Sequence, residues 1–170
     1  TLQAPATIEP GRPVHLTYRL TQAKDGAPFT DVTISHEEPM HLIVVSRDLV
    51  QFQHIHPQPT GVPGEYAVDA VFPAPGTYFL YNQFSRHDGQ EVLLSDTLTA
   101  GAPSVGGGRL AVDRAPKVIG NVRVALEGAG ALAAGQDATL TFRLEDARTG
   151  DGLSNLRPYL GAAAHVAILS

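Results

Sequence analysis

Seven histidines occur in this 170-residue chain, and three of them, His41, His54 and His56, fall within sixteen residues. Three neutral imidazoles converging on one point form a recurrent ligand set for Zn²⁺ or Cu²⁺. Convergence depends on register. Met40 to Ser46 and Phe52 to His56 are apolar, β-rich runs separated by Arg47 to Gln51, which is the pattern of a hairpin. A hairpin symmetric about Asp48 and Leu49 sets His41 opposite His56, Ile43 opposite His54 and Val45 opposite Phe52. Directly opposed residues hold their Cβ atoms about 4.5–5.5 Å apart. His54 and His56 are two residues apart on an extended strand and so point to one face. All three imidazoles then share a patch at the open end of the hairpin, whereas a slip of one residue would turn His41 away. Met40 carries a thioether that would suit Cu⁺, but on a regular strand it points to the opposite face. The competing reading is structural: imidazoles bonded to tyrosine, backbone carbonyls or carboxylates at the rim of the fold, with no ion.

The fourth position of such a site is expected to hold water or Glu37. His36, in the polar stretch His36-Glu37-Glu38-Pro39, reads as a solvated loop residue; the alternative is that it swings in as a ligand together with Glu37 or Glu38. His87 falls in a hairpin turn, and His15 lies on a strand with no partner nearby in sequence. Tyr81 is the phenol to watch beside the imidazoles, while Phe72, Tyr78, Phe79 and Phe84 read as core. Catalytic templates fail: there is no Gly-x-Ser-x-Gly, no phosphate loop and no His-Glu-x-x-His. Ser35-His36-Glu37 has the residue types of a triad, but neighbours on an extended chain diverge. No enzyme activity is expected.

Short strands must position these residues. Val14 to Leu20 alternates with period two, as does Tyr66 to Phe72. Val32 to Ser35, Thr77 to Phe84 and Glu91 to Leu98 read as further strands, with turns at Lys24-Asp25-Gly26, Pro73-Ala74-Pro75-Gly76 and Arg86-His87-Asp88-Gly89. Seventeen glycines and thirteen prolines punctuate a chain that is 43% hydrophobic, which fits an all-β antiparallel sandwich of immunoglobulin or cupredoxin type. Cysteine is absent, which removes disulfides and thiolate ligands together, and a net charge of −5 argues against a nucleic-acid partner.

An internal repeat sets the domain organisation. Gly11 to Ser46 aligns without a gap on Gly135 to Ser170, an offset of 124 residues with nine of 36 positions identical. Leu16-Thr17 and Arg19-Leu20 recur as Leu140-Thr141 and Arg143-Leu144, and His41 recurs as His165. The expected organisation is a β-sandwich at residues 1–101, a linker at 102–117 holding Gly106-Gly107-Gly108, and a partial second copy at 118–170 that opens with a strand from Val118 to Leu126. A half-sandwich would expose apolar surface and strand edges. The reading therefore expects residues beyond Ser170 in the native protein, or a second chain or an envelope protein partner that completes the sheet.

The run His41-Leu42-Ile43-Val44-Val45-Ser46-Arg47-Asp48-Leu49, then Phe52-Gln53-His54-Ile55-His56-Pro57, resembles a group of secreted or membrane-anchored bacterial proteins with tandem β-sandwich domains, described as heavy-metal-binding or YtkA-like. Phe72-Pro73-Ala74-Pro75-Gly76-Thr77-Tyr78 is similar to their strand-turn-strand signature, and Arg157-Pro158-Tyr159-Leu160-Gly161-Ala162 followed by His165 to the start of their second domain. Those proteins usually close the second domain with another His-x-His-Pro, which is missing here. The resemblance implies an extracytoplasmic location and a link to metal, with no catalytic residues. The expected function is thus an extracytoplasmic protein that binds copper or zinc without turnover; the alternative is a structural or interaction module of the envelope whose histidines are incidental.

Overall fold

In a computed structural model, residues 1–102, 111–130, 132–159 and 161–169 are described. The glycine run Gly106 to Gly108, within the expected linker, lies outside them. The chain divides into two compact units, Thr1–Leu110 and Ala111–Ser170. Among the described residues every regular element is a β-strand.

The first unit contains β1 (Leu2–Gln3), β2 (Pro13–Arg19), β3 (His41–Ser46), β4 (Phe52–Ile55), β5 (Gln58–Pro59), β6 (Glu65–Val71), β7 (Gly76–Ser85) and β8 (Glu91–Ala100). They form two antiparallel four-stranded sheets, ordered β1-β2-β6-β5 and β4-β3-β7-β8. Alternation decides which side chains enter the core. Val14, Leu16 and Tyr18 from β2 and Ala70 from β6 are buried against Leu42 and Val44 from β3, Tyr78 and Leu80 from β7, and Phe72. Both sheets feed one cluster, which makes the unit a β-sandwich. A second cluster joins Leu20, Met40, Tyr66 and Phe84. Of the aromatics read as core, Phe72, Tyr78 and Phe84 are buried. Phe79 is half-buried instead, as is Tyr81, because both alternate to the outer face of β7. Burial pushes the Tyr18 hydroxyl well above the usual phenol range, with the nearby Asp96 carboxylate adding to the shift.

Two expectations are corrected. Val32 to Ser35 is not a strand: it makes only single bridges, Thr33 to Ser85 and Ser35 to Glu38. Val118 to Leu126 is not one strand but two, β9 (Lys117–Ile119) and β10 (Val122–Glu127), because Gly120, at φ 61°, turns the chain between them. Lys117 therefore belongs to β9 rather than to a linker.

The second unit is a three-stranded antiparallel sheet ordered β11-β10-β9, with β11 at Thr141–Asp146. Several of its pairings match pairings of the first unit at an offset of 124 residues. Leu2 faces Tyr18 and Gln3 faces Thr17; Leu126 faces Phe142 and Glu127 faces Thr141. The bridge from Thr21 to Pro28 recurs as Glu145 to Gly152, and the Phe29 N–H to Leu20 carbonyl bond recurs as Leu153 to Leu144, both at 2.9 Å. Phe142 is 41% exposed where Tyr18 is fully buried.

Asp31 fixes the approach to the histidine region. It accepts from the backbone N–H of His87 (3.0 Å), from His87 Nδ1 (2.7 Å) and from Arg86 Nε (3.1 Å), tying the 31–35 stretch to the β7–β8 turn. These bonds, led by the His87 backbone N–H, hold the Asp31 carboxyl down at about 2, against an ordinary value of 3.8. A carboxyl lowered by folding stabilises the fold above its unfolded value and stops doing so as pH falls through the folded one. Asp31→Asn is therefore expected to lower the thermal midpoint at pH 5 and to converge with the parent near pH 2. A gap of equal size at both pH values would show that Asp31 contributes no proton linkage.

Candidate metal centre

The β3–β4 hairpin carries the site, and its register is pinned at the closed end. Ser46 N–H donates to the Gln51 carbonyl (3.0 Å) and Leu49 N–H to the Ser46 carbonyl (2.8 Å), with Leu49 at φ 61°. Asp48 accepts from the Ser46 hydroxyl (2.5 Å) and the Val50 N–H (3.2 Å), and these bonds hold its carboxyl below the usual range. Along the strands Val45 faces Phe52, Val44 faces Gln53, Ile43 faces His54 and Leu42 faces Ile55. The ladder ends there, and His56 follows Ile55 directly, its ring 5.0 Å from that of His41. Leu42 and Val44 enter the core, so His41 and His54 stand on the outer face of the sheet.

The structure brings His41, His54 and His56 together. All three are half-buried, and one nitrogen from each lies within 4.8 Å of the others. Ring centroids are 5.3 Å apart for His41 and His54, 5.0 Å for His41 and His56, and 4.8 Å for His54 and His56. His41 Nδ1 is 3.1 Å from His54 Nε2. Two nitrogens at zinc-bonding distance on adjacent corners of a tetrahedron are about 3.3 Å apart, so one edge is already set. The other edges are no longer than 4.8 Å, and the χ2 torsions that would adjust them are broad.

His41 is held in one tautomer. Its Nε2 lies 3.0 Å from the Ser35 carbonyl oxygen, which only accepts, so Nε2 carries the proton and Nδ1 presents its lone pair to the cluster. Carbonyl partners of this kind orient ligating histidines and raise their basicity. Ser35 is set by a turn in which its N–H donates to the Glu38 carbonyl (2.9 Å) and its carbonyl accepts from the Glu38 N–H (3.1 Å). The same turn reaches the other strand: Gln58 Nε2 donates to the Glu38 carboxylate (2.6 Å) and to the His56 carbonyl (3.2 Å). In the second unit His165 Nε2 donates to the Tyr159 carbonyl at 2.9 Å, the bond of His41 to Ser35 displaced by 124 residues.

Ser35, Glu38 and Gln58 escape a reading of the sequence as supports of the site, since each acts through a turn or a backbone group. Met40 is fully buried beside Leu20, Tyr66 and Phe84, and Asn82 Nδ2 approaches its sulfur at 4.0 Å, so it lies away from the imidazoles. His15 meets a partner distant in sequence, Asp69 directly across from it on β6, at 2.8 Å. His87 is bound to Asp31, as described. Tyr81 lies opposite Ile43 on β7, with β3 between it and His54. A cavity of ≈ 230 Å³ lies at the other end of β3, lined by Ser46, Arg47, Asp48 and Tyr78 among others.

Residues 1–102, which include the three histidines, match a family model described as a domain of unknown function, DUF8832. No curated protein and no solved structure matches the chain.

Proposed function

The chain belongs to the DUF8832 family, and we propose that it is an extracytoplasmic β-sandwich protein that binds a zinc or copper(II) ion without turning over a substrate. The observation that carries this reading is the set of three half-buried imidazoles with nitrogens within 4.8 Å, one of them fixed with its lone pair turned inward. The donor set is all nitrogen. Met40 faces away and cysteine is absent, so Cu⁺ finds no sulfur and the borderline ions Zn²⁺ and Cu²⁺ suit the site better. The ion would be held by His41, His54 and His56, with the Ser35 carbonyl keeping the His41 proton off the ligating nitrogen. The recurrence of the hydrogen bonds at 124 residues supports the view that the second unit is a second copy of the same sandwich.

The second reading, an envelope interaction module with incidental histidines, has its own support. His41 and His54 bond to one another and His41 bonds to Ser35, contacts that could serve packing alone. Calorimetric titration of the purified chain with Zn²⁺ and Cu²⁺ separates the two. Saturable uptake of one ion by the first unit at pH 7.5 is expected, weakening below about pH 6 as protons compete for imidazole nitrogen. Absence of uptake of either ion would leave the interaction module as the better account.

A further inference from the structure

Resting on the three-histidine reading, we propose that His36 supplies a fourth imidazole to the same ion, delivered by a strained turn. Ser35 and Glu38 exchange both of their backbone hydrogen bonds around His36 and Glu37, at φ 50° and 70°. Two successive residues at positive φ make the tight hairpin turn that ordinarily takes Asn-Gly, and glutamate is poorly suited to it. In the second unit the corresponding pair is Tyr159 and Ala162. They exchange the same two bonds, at 2.9 and 3.2 Å, and Gly161, at φ 73°, occupies the position of Glu37. The first unit keeps the strain, and its effect is to hold His36 beside the cluster. Strain of this kind gathers at ligand clamps and switch regions.

Distance agrees. The His36 ring lies edge-on to His41 with centroids 6.0 Å apart, against 4.8–5.3 Å within the trio. Four imidazoles bound to one tetrahedral ion through nitrogens at about 2.0–2.1 Å place their ring centroids about 5.2 Å apart. His36 therefore needs a shift of the order of an ångström relative to His41. It is exposed, and its Nδ1 lies 3.3 Å from the Ser35 hydroxyl. The turn that bears His36 is also the one whose Ser35 carbonyl orients His41. A fourth ligand thus arrives on the same small element that sets the first.

The test compares the full chain with His36→Asn and Glu37→Ala, each loaded with Cu²⁺ and examined by paramagnetic resonance for the number of coupled nitrogens, alongside Zn²⁺ calorimetry. Asparagine tolerates the left-handed backbone of His36, so the turn is kept while the imidazole is lost. The expected result is a four-nitrogen pattern in the parent, three nitrogens in His36→Asn with affinity lower by at least about tenfold, and four nitrogens with nearly unchanged affinity in Glu37→Ala. A three-nitrogen parent that His36→Asn leaves unaltered would overturn the role of His36 while sparing the three-histidine site. Loss of affinity in Glu37→Ala but not in His36→Asn would assign the fourth position to the carboxylate. A parent that takes up no ion would sink both.

Discussion

Replacement of His54 and His56 together by alanine is expected to reduce metal affinity by about four orders of magnitude while leaving the sandwich folded. Structural zinc in small four-ligand sites contributes about 10–16 kcal/mol, or about 3 kcal/mol per ligand, and the double variant removes two. His41 alone, however well oriented by Ser35, then offers a single nitrogen. The fold should survive for a separate reason. Neither histidine belongs to the buried clusters, which draw on Leu42, Val44, Tyr78 and Leu80 nearby, and the β3–β4 register is pinned at its other end by Ser46, Asp48 and Gln51. Substitutions outside a core typically change stability by about 0.5 kcal/mol or less, a few degrees in midpoint for a domain of this size. Calorimetry and a thermal scan on the same preparation check both halves of the expectation. A folded double variant that binds with parental affinity would place the ion elsewhere.

Phe72→Ala is expected to have the opposite profile, with a loss of about 3–5 kcal/mol of stability and no change in the ligand set of the molecules that remain folded. Phe72 is fully buried where the two sheets meet, and its ring packs edge-on against Tyr78 with centroids 5.0 Å apart. Truncation deletes that contact and leaves a cavity that the facing strands only partly close. The histidines lie on the outer face of the β4-β3-β7-β8 sheet, away from that cavity. Urea unfolding followed with and without Zn²⁺ checks it: the midpoint should fall in both series, and added ion should raise the midpoint of the variant as it raises that of the parent. A cost below about 1 kcal/mol would mean that the core closes around the deletion.

How much of this was legible in the chain depends on the length of the pattern. The hairpin from Met40 to His56 could be read because its two runs are long, β-rich and separated by a short polar connection, and because a slip of one residue would part the imidazoles between the two faces. The two-residue strands β1 and β5 carry no periodicity of their own and exist through their partners β2 and β6. Val32 to Ser35 has strand-like residues but bonds its neighbours only at single points. In Val118 to Leu126 the β-branched residues outweighed a single glycine, and the glycine decided the geometry. The Ser35 carbonyl and the Gln58 amide were out of reach for another reason, since nothing in a residue's type announces where its backbone or its amide will point. The turn at His36 and Glu37 runs against the residue preferences for its conformation, so local reasoning favoured an open loop. The alignment at an offset of 124 residues, by contrast, was visible as nine identities in 36 positions, and several hydrogen bonds match at the same offset.

The most direct test of the metal site is the anomalous diffraction of crystals of the full chain grown with Zn²⁺ and measured on both sides of the zinc absorption edge. The account predicts one strong peak on the outer face of the β3–β4 hairpin, about 2.0–2.1 Å from His41 Nδ1 and from one nitrogen each of His54 and His56, with His41 Nε2 still donating to the Ser35 carbonyl. Zinc peaks found only at other positions, with His41 and His54 still bonded directly to one another, would contradict it.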